Sequence, residues 1–403
     1  MAQETPAWLT PSFVEKILRK SEGDNSIQVI DLSVKSATAK GDNYQSEMVR
    51  VVAKYSRGQG GEVAEKSIIF KIAPSLDSLQ GELIAEGNAF DIEISVISDT
   101  LAKMNKMVEP KYRLGPKSLY MQSENPALIV MEDLAVLGYR MADRLSGLDL
   151  DHCLLSMSGL ARFHATSVAL CEREPEQKEK YMKGVYCHEQ PPSVANFFIA
   201  CTKGFVDEIA NWPELKGYAE KIAKITDRIY DIAIEAAKPS EDQFNVINHG
   251  DYWVNNMLFK YDNDKPVDHI SVDFQQCSYT TPAMDILYFL ETSPSPEVIE
   301  NQRDLLLNEY HSTLTVTMKQ LNCKTQPPTR DELEDILKQK AVLGMIASFT
   351  ILPLVLCSKS NVQDFNDFMA DGVCKNPGLK GESFKKLMIT RVPLYEQWGL
   401  LDL

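Results

Sequence analysis

Several things are scarce or missing in this sequence of 403 residues, and each exclusion narrows what the chain can be. There is no CxxC pair and no cluster of cysteine with histidine. Eight cysteines stand at 153, 171, 187, 201, 277, 323, 357 and 374, too scattered for a zinc module or a disulfide framework. They are expected as reduced, mostly core thiols of a cytoplasmic protein. Met1 to Lys20 holds no apolar stretch of the kind a secretory signal requires. The longest apolar run, Ala341–Cys357, is interrupted by Ser348, Thr350 and Pro353. It falls short of the roughly 20 residues a bilayer span needs, and a buried helix is the expectation. Positive charge is scarce too: 42 Lys and Arg against 57 Asp and Glu leave a net charge of −15. That surface repels phosphate backbones and anionic lipid, which argues against nucleic acid and membranes as partners. No protein partner is implied. Gly and Pro number 20 each and are scattered, which excludes collagen-like and low-complexity character.

What is present reads as an ordinary globular protein, 44% apolar and 25% charged, long enough for two lobes. Thr10 at an N-cap, Pro11 behind it, and Phe13, Val14, Ile17 and Leu18 at helical spacing predict an opening helix. From Ile27 to Ile72 the texture is that of strands, including Val49–Val52 and Ser67–Ile72. Phe90–Leu101 returns to helical period, and Leu128–Val130 reads as a short buried strand. Beyond about Leu134 the pattern is mostly helical, and Thr329 with Glu332 forms a capping box. One hairpin interrupts the helices: Asn256–Tyr261, the polar turn Asp262–Lys265, then Val267–Asp273. A small β-rich lobe followed by a larger helical one suggests a site at their junction.

The strongest chemical signal is His249-Gly250-Asp251-Tyr252-Trp253-Val254-Asn255-Asn256, of the form H-x-D-x-x-x-x-N, leading into that hairpin and to Asp273. Phosphoryl transfer needs such a set: one carboxylate to orient the attacking hydroxyl, and an amide oxygen with a second carboxylate to hold Mg²⁺ on the phosphates. The bland reading is a polar loop of Asx-turns. In the first lobe Lys71 sits inside an apolar strand, where a snorkelling or edge-strand lysine is the plain alternative. Phe90, Ile94, Ile97 and Leu101 make one helical stripe on which Glu93 also falls. A carboxylate on an apolar face needs a partner, and Lys71 is the candidate; otherwise Glu93 reaches solvent from the stripe's edge. The turn Gly41–Ser46 could place backbone N–H groups over phosphates, although most such turns are only hairpins. Met131-Glu132-Asp133-Leu134, joining the lobes, could offer backbone groups to an adenine edge.

Taken in order, these motifs resemble the insect ecdysteroid-kinase-like family, within the choline kinase and aminoglycoside phosphotransferase superfamily. The residues that carry the resemblance are Gly41, Tyr44 and Ser46; Phe70-Lys71; Phe90 and Glu93; Met131–Leu134; Leu160–Ala165; His249–Trp253 with Asn256; Val272–Gln275; and Pro282 with Asp285-Ile286. The HGDxWxxN and DFQ pair is the specific part. The resemblance implies an α+β, bilobal protein-kinase-like fold, with residues 1–133 as the nucleotide-binding lobe and 134–403 as the catalytic and acceptor-binding lobe. It implies ATP and Mg²⁺ as cofactors. Residue by residue, it implies Asp251 as the catalytic base and Asn256 and Asp273 as metal ligands. Gly41, Asn43, Tyr44, Ser46, Lys71, Glu93, Met131, Glu132, Asp133 and Leu134 are the implied ATP contacts, and His249 and Asp285 the braces of the catalytic loop. Gly250 and Gln275 depart from protein kinases, and only eleven residues separate Asp273 from Asp285. That leaves no room for a long activation segment, so a small-molecule alcohol is the expected acceptor, an ecdysteroid or a xenobiotic. The aromatics Phe197, Phe198, Phe205 and Trp212 could line an apolar acceptor pocket or simply fill the core. Competing readings are a non-catalytic nucleotide- or steroid-binding protein on the same fold and, last, a metal-dependent hydrolase.

Overall fold

The opening helix forms for the reasons its sequence advertises. In α1 (Pro11–Glu22) the Thr10 side chain accepts a hydrogen bond from Phe13 N at 3.2 Å, and Gly23 ends the helix at φ 66°. Its buried face is Val14, Ile17 and Leu18. The structure, a computed structural model, describes residues 6–38, 46–58, 61–74, 87–124, 126–358, 361 and 373–403. Of the expected phosphate turn, Gly41, Asn43 and Tyr44 lie outside the described residues, while Ser46 immediately precedes the second strand.

The chain divides into two compact units: Met1–Ala102 with Gly115–Arg140, and Lys103–Leu114 with Met141–Leu403. The first is built on an antiparallel sheet of β1 (Ile27–Ser36), β2 (Glu47–Arg57), β3 (Ala64–Ile72), β4 (Ser118–Gln122) and β5 (Leu128–Glu132), in the order β1-β2-β3-β5-β4. Alternation along β3 sends Ile68, Phe70 and Ile72 into one core with Val14, Ile17 and Leu18 of α1. Phe70 meets the rings of Trp8 and Phe13 at 6.2 and 6.4 Å. Lys71 therefore points to the opposite face.

The second unit is mainly helical. Its long central helix, Leu150–Arg173, buries fourteen side chains, and Pro296–Gln320 packs along it. Ala341–Thr350 is buried at every position. The apolar run expected as one helix is two, since a second helix, Leu352–Leu356, starts at the break before Pro353. No helix among the described residues is long and apolar enough to cross a membrane. A hairpin, Met257–Asp262 with Lys265–Ser271, turns through Asn263 and Asp264, both at positive φ (48° and 62°), as a two-residue primed turn requires. A two-stranded ribbon, Val246–Asn248 with Ser278–Thr280, launches the loop that follows Asn248.

Candidate active site

In the first unit, the stripe containing Glu93 is real but irregular. The helix Ala89–Ser95 passes into a π-helical turn, Val96–Thr100, before Leu101–Asn105. The buried positions are Ala89, Phe90, Glu93, Val96, Ile97, Thr100, Leu101 and Met104. Ile94, expected on the stripe, is only half-buried. Lys71 Nζ lies 2.6 Å from Glu93 Oε2, with the two side chains 2% and 1% exposed. The ammonium also sits 6.0 Å from the centre of the Phe90 ring. Two charges this deep are tolerated because they neutralise each other.

The connector residues divide between roles. Met131 and Glu132 are still part of β5, paired with Ile69 and Ile68 of β3, and the Glu132 amide donates to Lys117 O at 3.0 Å. The Asp133 carboxylate is engaged within its own unit. It accepts from Arg50 Nε at 2.7 Å, Ser67 Oγ at 2.6 Å and Ala135 N at 3.1 Å, capping the short 3-10 helix Leu134–Leu137. Burial works to raise its pKa, but these donors hold it below the usual aspartate value. Its side chain is a structural clamp, and only main-chain groups remain as contacts for a base.

In the second unit, the residues after Asn248 form a loop held from several sides. Gly250 adopts φ 82°, and a Cβ there would lie 1.9 Å from Gln276 O, so glycine is the residue that fits. Asp285, fully buried in the helix Ala283–Thr292, accepts from His249 N at 2.6 Å and Gly250 N at 2.8 Å. It also accepts from His164 Nε2 at 3.0 Å, and the other ring nitrogen of His164 meets the Tyr310 hydroxyl at 2.7 Å. His249 Nε2 donates to Val272 O at 3.0 Å, since a carbonyl can only accept. Val272 N in turn donates to Asn256 O at 3.0 Å. The residue before Asp273 is thus tied to both ends of the loop, and Asp273 itself takes the left-handed conformation, φ 69°.

Asp251 is gripped at both carboxylate oxygens. Tyr288 donates its hydroxyl to Oδ1 at 2.6 Å, and Asn256 Nδ2 donates to Oδ2 at 2.8 Å. Burial pushes the Asp251 carboxyl above its ordinary pKa; the Tyr288 bond opposes this, while the charge of Asp273 adds to it. The Trp253 indole N–H lies near enough to favour the charged form without completing a hydrogen bond. Among the described residues no three His, Cys, Asp or Glu side chains gather into a metal-binding group. The set fits Mg²⁺ in another way. That ion binds through one or two carboxylates, amide oxygens, water and the nucleotide's own phosphates. With its nitrogen turned to Asp251, Asn256 has its amide oxygen to present, and a divalent cation would offset the repulsion between Asp251 and Asp273.

Three of the four aromatic candidates are core, and the fourth, Phe197, is half-buried beside Phe198 at 5.3 Å. Phe198, Phe205 and Trp212 recur every seven residues and are buried. Phe205 stacks on Phe349 at 4.3 Å, and Trp212 meets Phe384 edge-on at 6.3 Å. A cavity of about 400 Å³ lies elsewhere in this unit, lined by Met182, Tyr186, Ile234 and Met284 and by the charged Lys183, Glu189, Glu235 and Lys238 among others. Tyr186, which packs on Phe198 at 5.1 Å, has its phenol pKa pushed up by burial and by the charges of Tyr230 and Asp251. Tyr186, Tyr288 and His164 are absent from the sequence-based candidates. The last lies in Leu160–Ala165, whose part in the resemblance carried no role, and Tyr288 stands three residues after Asp285.

A buried Lys–Glu pair on an antiparallel sheet, and a helical unit with a braced H-x-D-x-x-x-x-N loop returning to an aspartate, define the α+β, protein-kinase-like class. The chain belongs to the ecdysteroid kinase-like family, whose model matches residues 40–323. No curated protein matches its sequence significantly. Solved structures are similar to it at low identity. Plasmodium vivax ethanolamine kinase is 10% identical with a TM-score of 0.42, covering 93% of this chain and 85% of that one. Aminoglycoside 2'-phosphotransferase-IIIa in its GDP complex is 12% identical with a TM-score of 0.43, covering 94% and 99%. An amicoumacin kinase in complex with AMP-PNP and Ca²⁺ is 12% identical with a TM-score of 0.40, covering 95% and 92%.

Proposed function

We propose that the protein is an ATP- and Mg²⁺-dependent kinase that phosphorylates a hydroxyl of a small molecule, an ecdysteroid or a xenobiotic alcohol, in the cytoplasm. The observation that carries the reading is Asp251: a half-buried carboxylate, anchored at both oxygens, on a loop whose main chain is fixed by Asp285. In this role Asp251 accepts the hydrogen bond of the acceptor hydroxyl and aims it at the γ-phosphate. Each carboxylate oxygen has two acceptor sites, so its two anchors leave room for that hydroxyl. Lys71, held by Glu93, is the cation for the inner phosphates. Asn256 and Asp273 would hold Mg²⁺, which when bound takes up charge on the transferring group. Met182, Ile234 and Met284 give the cavity an apolar part, which supports an acceptor with an apolar body, beside the charged Lys183, Glu189, Glu235 and Lys238.

The test is a mass-spectrometric screen with ATP·Mg²⁺ and a panel of ecdysteroids, other sterols, choline, aminoglycosides and plant phenolics. Products are scored for the gain of one phosphate, with Asp251→Ala beside the wild type. Loss of a general base should lower turnover by about 10²- to 10⁴-fold, with ATP affinity changed by no more than about twofold. A protein that binds ATP but phosphorylates nothing in the panel would favour the non-catalytic binding reading.

A further inference from the structure

We propose that Tyr288 is a positioning residue that fixes the plane of the Asp251 carboxylate for phosphoryl transfer. The inference rests on Asp251 being the catalytic base. The helix Ala283–Thr292 presents Asp285 and Tyr288 three residues apart, on one face. Asp285 takes the main-chain N–H groups of His249 and Gly250, and Tyr288 reaches the side chain of the next residue in line, donating to Asp251 Oδ1 at 2.6 Å. Ser293, at the end of the same helix, accepts from Val254 N at 3.1 Å. One helix thus sets the backbone and the carboxylate of three consecutive loop residues.

A single anchor would leave the carboxylate free to swing, because the terminal torsion of aspartate is broad. Asn256 holds Oδ2, and that residue is also the one assigned to the metal, so its grip on Asp251 is shared with another duty. Tyr288 supplies the anchor that has no other task. Its chemistry suits the role: burial and then the neighbouring charge of Asp251 push its phenol pKa well up, so it stays a neutral O–H donor and does not compete as a base. An acceptor hydroxyl displaced by an ångström from in-line attack loses rate steeply, which makes a defined carboxylate plane worth having.

Tyr288→Phe keeps the ring and deletes only the donor. The expected result is a fall in kcat of about 10- to 100-fold, with KM for ATP and the thermal midpoint near wild-type values. A role in folding alone would instead lower the midpoint and leave kcat of the folded protein intact. The decisive arm is a double-mutant cycle: in an Asp251→Asn background Tyr288→Phe should change the residual rate by less than about twofold. An equal loss in both backgrounds overturns the inference. Failure of the functional reading is a separate result. If the wild type shows no Asp251-dependent transfer, that reading falls and takes the inference with it. Asp251-dependent transfer that Tyr288→Phe leaves intact refutes Tyr288 alone.

Discussion

Replacing Asp285 tests whether the catalytic loop is held as tightly as its contacts suggest. Oδ2 accepts from His249 N and His164 Nε2, and Oδ1 accepts from Gly250 N, all at 0% exposure of the carboxylate. Asp285→Ala leaves three buried donors without an acceptor. At about 1–3 kcal/mol for each orphaned group, the loss is roughly 3–9 kcal/mol, the lower end applying if a water enters the vacated space. That is comparable with the whole stability of an ordinary domain, about 5–15 kcal/mol. Asp285→Asn is the sharper experiment, since shape and volume are kept. The new amide nitrogen must stand at one of the two oxygen positions. At Oδ2 it faces His249 N; the His164 ring can answer by moving its proton to Nδ1, but the backbone amide cannot. At Oδ1 it faces Gly250 N. Either way one main-chain N–H of the loop meets another donor, a cost of about 1–3 kcal/mol. Calorimetry should show the transition of the second unit several degrees lower, and kcat should fall with ATP binding intact. A midpoint within about 1 °C of wild type, with unchanged kcat, would refute the idea that Asp285 holds the loop.

Two further predictions concern buried titratable groups. Lys71→Met leaves Glu93 buried without its cation and should destabilise the first unit by about 3–5 kcal/mol, whereas Lys71→Met with Glu93→Leu should recover most of that loss while remaining inactive; hydrogen exchange of β3 amides reads both, and a double variant as unstable as the single one would contradict the pairing. His269 has its pKa lowered from 6.5 to about 3 by burial first, then by His249 and Arg162. The unfolded chain therefore takes up the proton first, and stability is intact above about pH 6.5 and lost as pH falls toward 3. At pH 5 the loss is about 2 kcal/mol. His269→Leu should flatten the fall in thermal midpoint between pH 7 and 5, and equal slopes in the two proteins would exclude His269 as its source.

How much of this was legible in the sequence depends on what each residue costs where it sits. Thr10, Pro11 and the Thr329–Glu332 box announce helix starts because orphaned amides must be satisfied locally, and the structure has both caps. Lys71 and Glu93 could be found because a charge in an apolar strand or stripe demands an explanation. The π-helical turn Val96–Thr100 on the same helix was not legible, since no residue in it departs from the composition of an ordinary helix. Phe198, Phe205 and Trp212 carried the opposite ambiguity: aromatic side chains suit a core and a pocket equally, and only their packing decides, Phe205 and Trp212 against Phe349 and Phe384 and Phe198 against Tyr230.

Tyr288 shows where this kind of reading stops. In Asp285-Ile286-Leu287-Tyr288-Phe289-Leu290 a tyrosine disturbs no hydrophobic pattern, since its ring belongs in the core and its hydroxyl needs only one partner. The partner lies 37 residues back in the chain, and no local spacing connects them. Asp285, on the same apolar helix, entered only through the family resemblance, as an implied brace of the catalytic loop. A charge on an apolar face leaves a trace in the sequence, as Lys71 and Glu93 do, and a neutral donor need not. Residues that set the geometry of Asp251 are therefore to be sought among neutral donors such as Tyr288 and Asn256, and the double-mutant cycle with Asp251→Asn is the measurement that separates them from ordinary core.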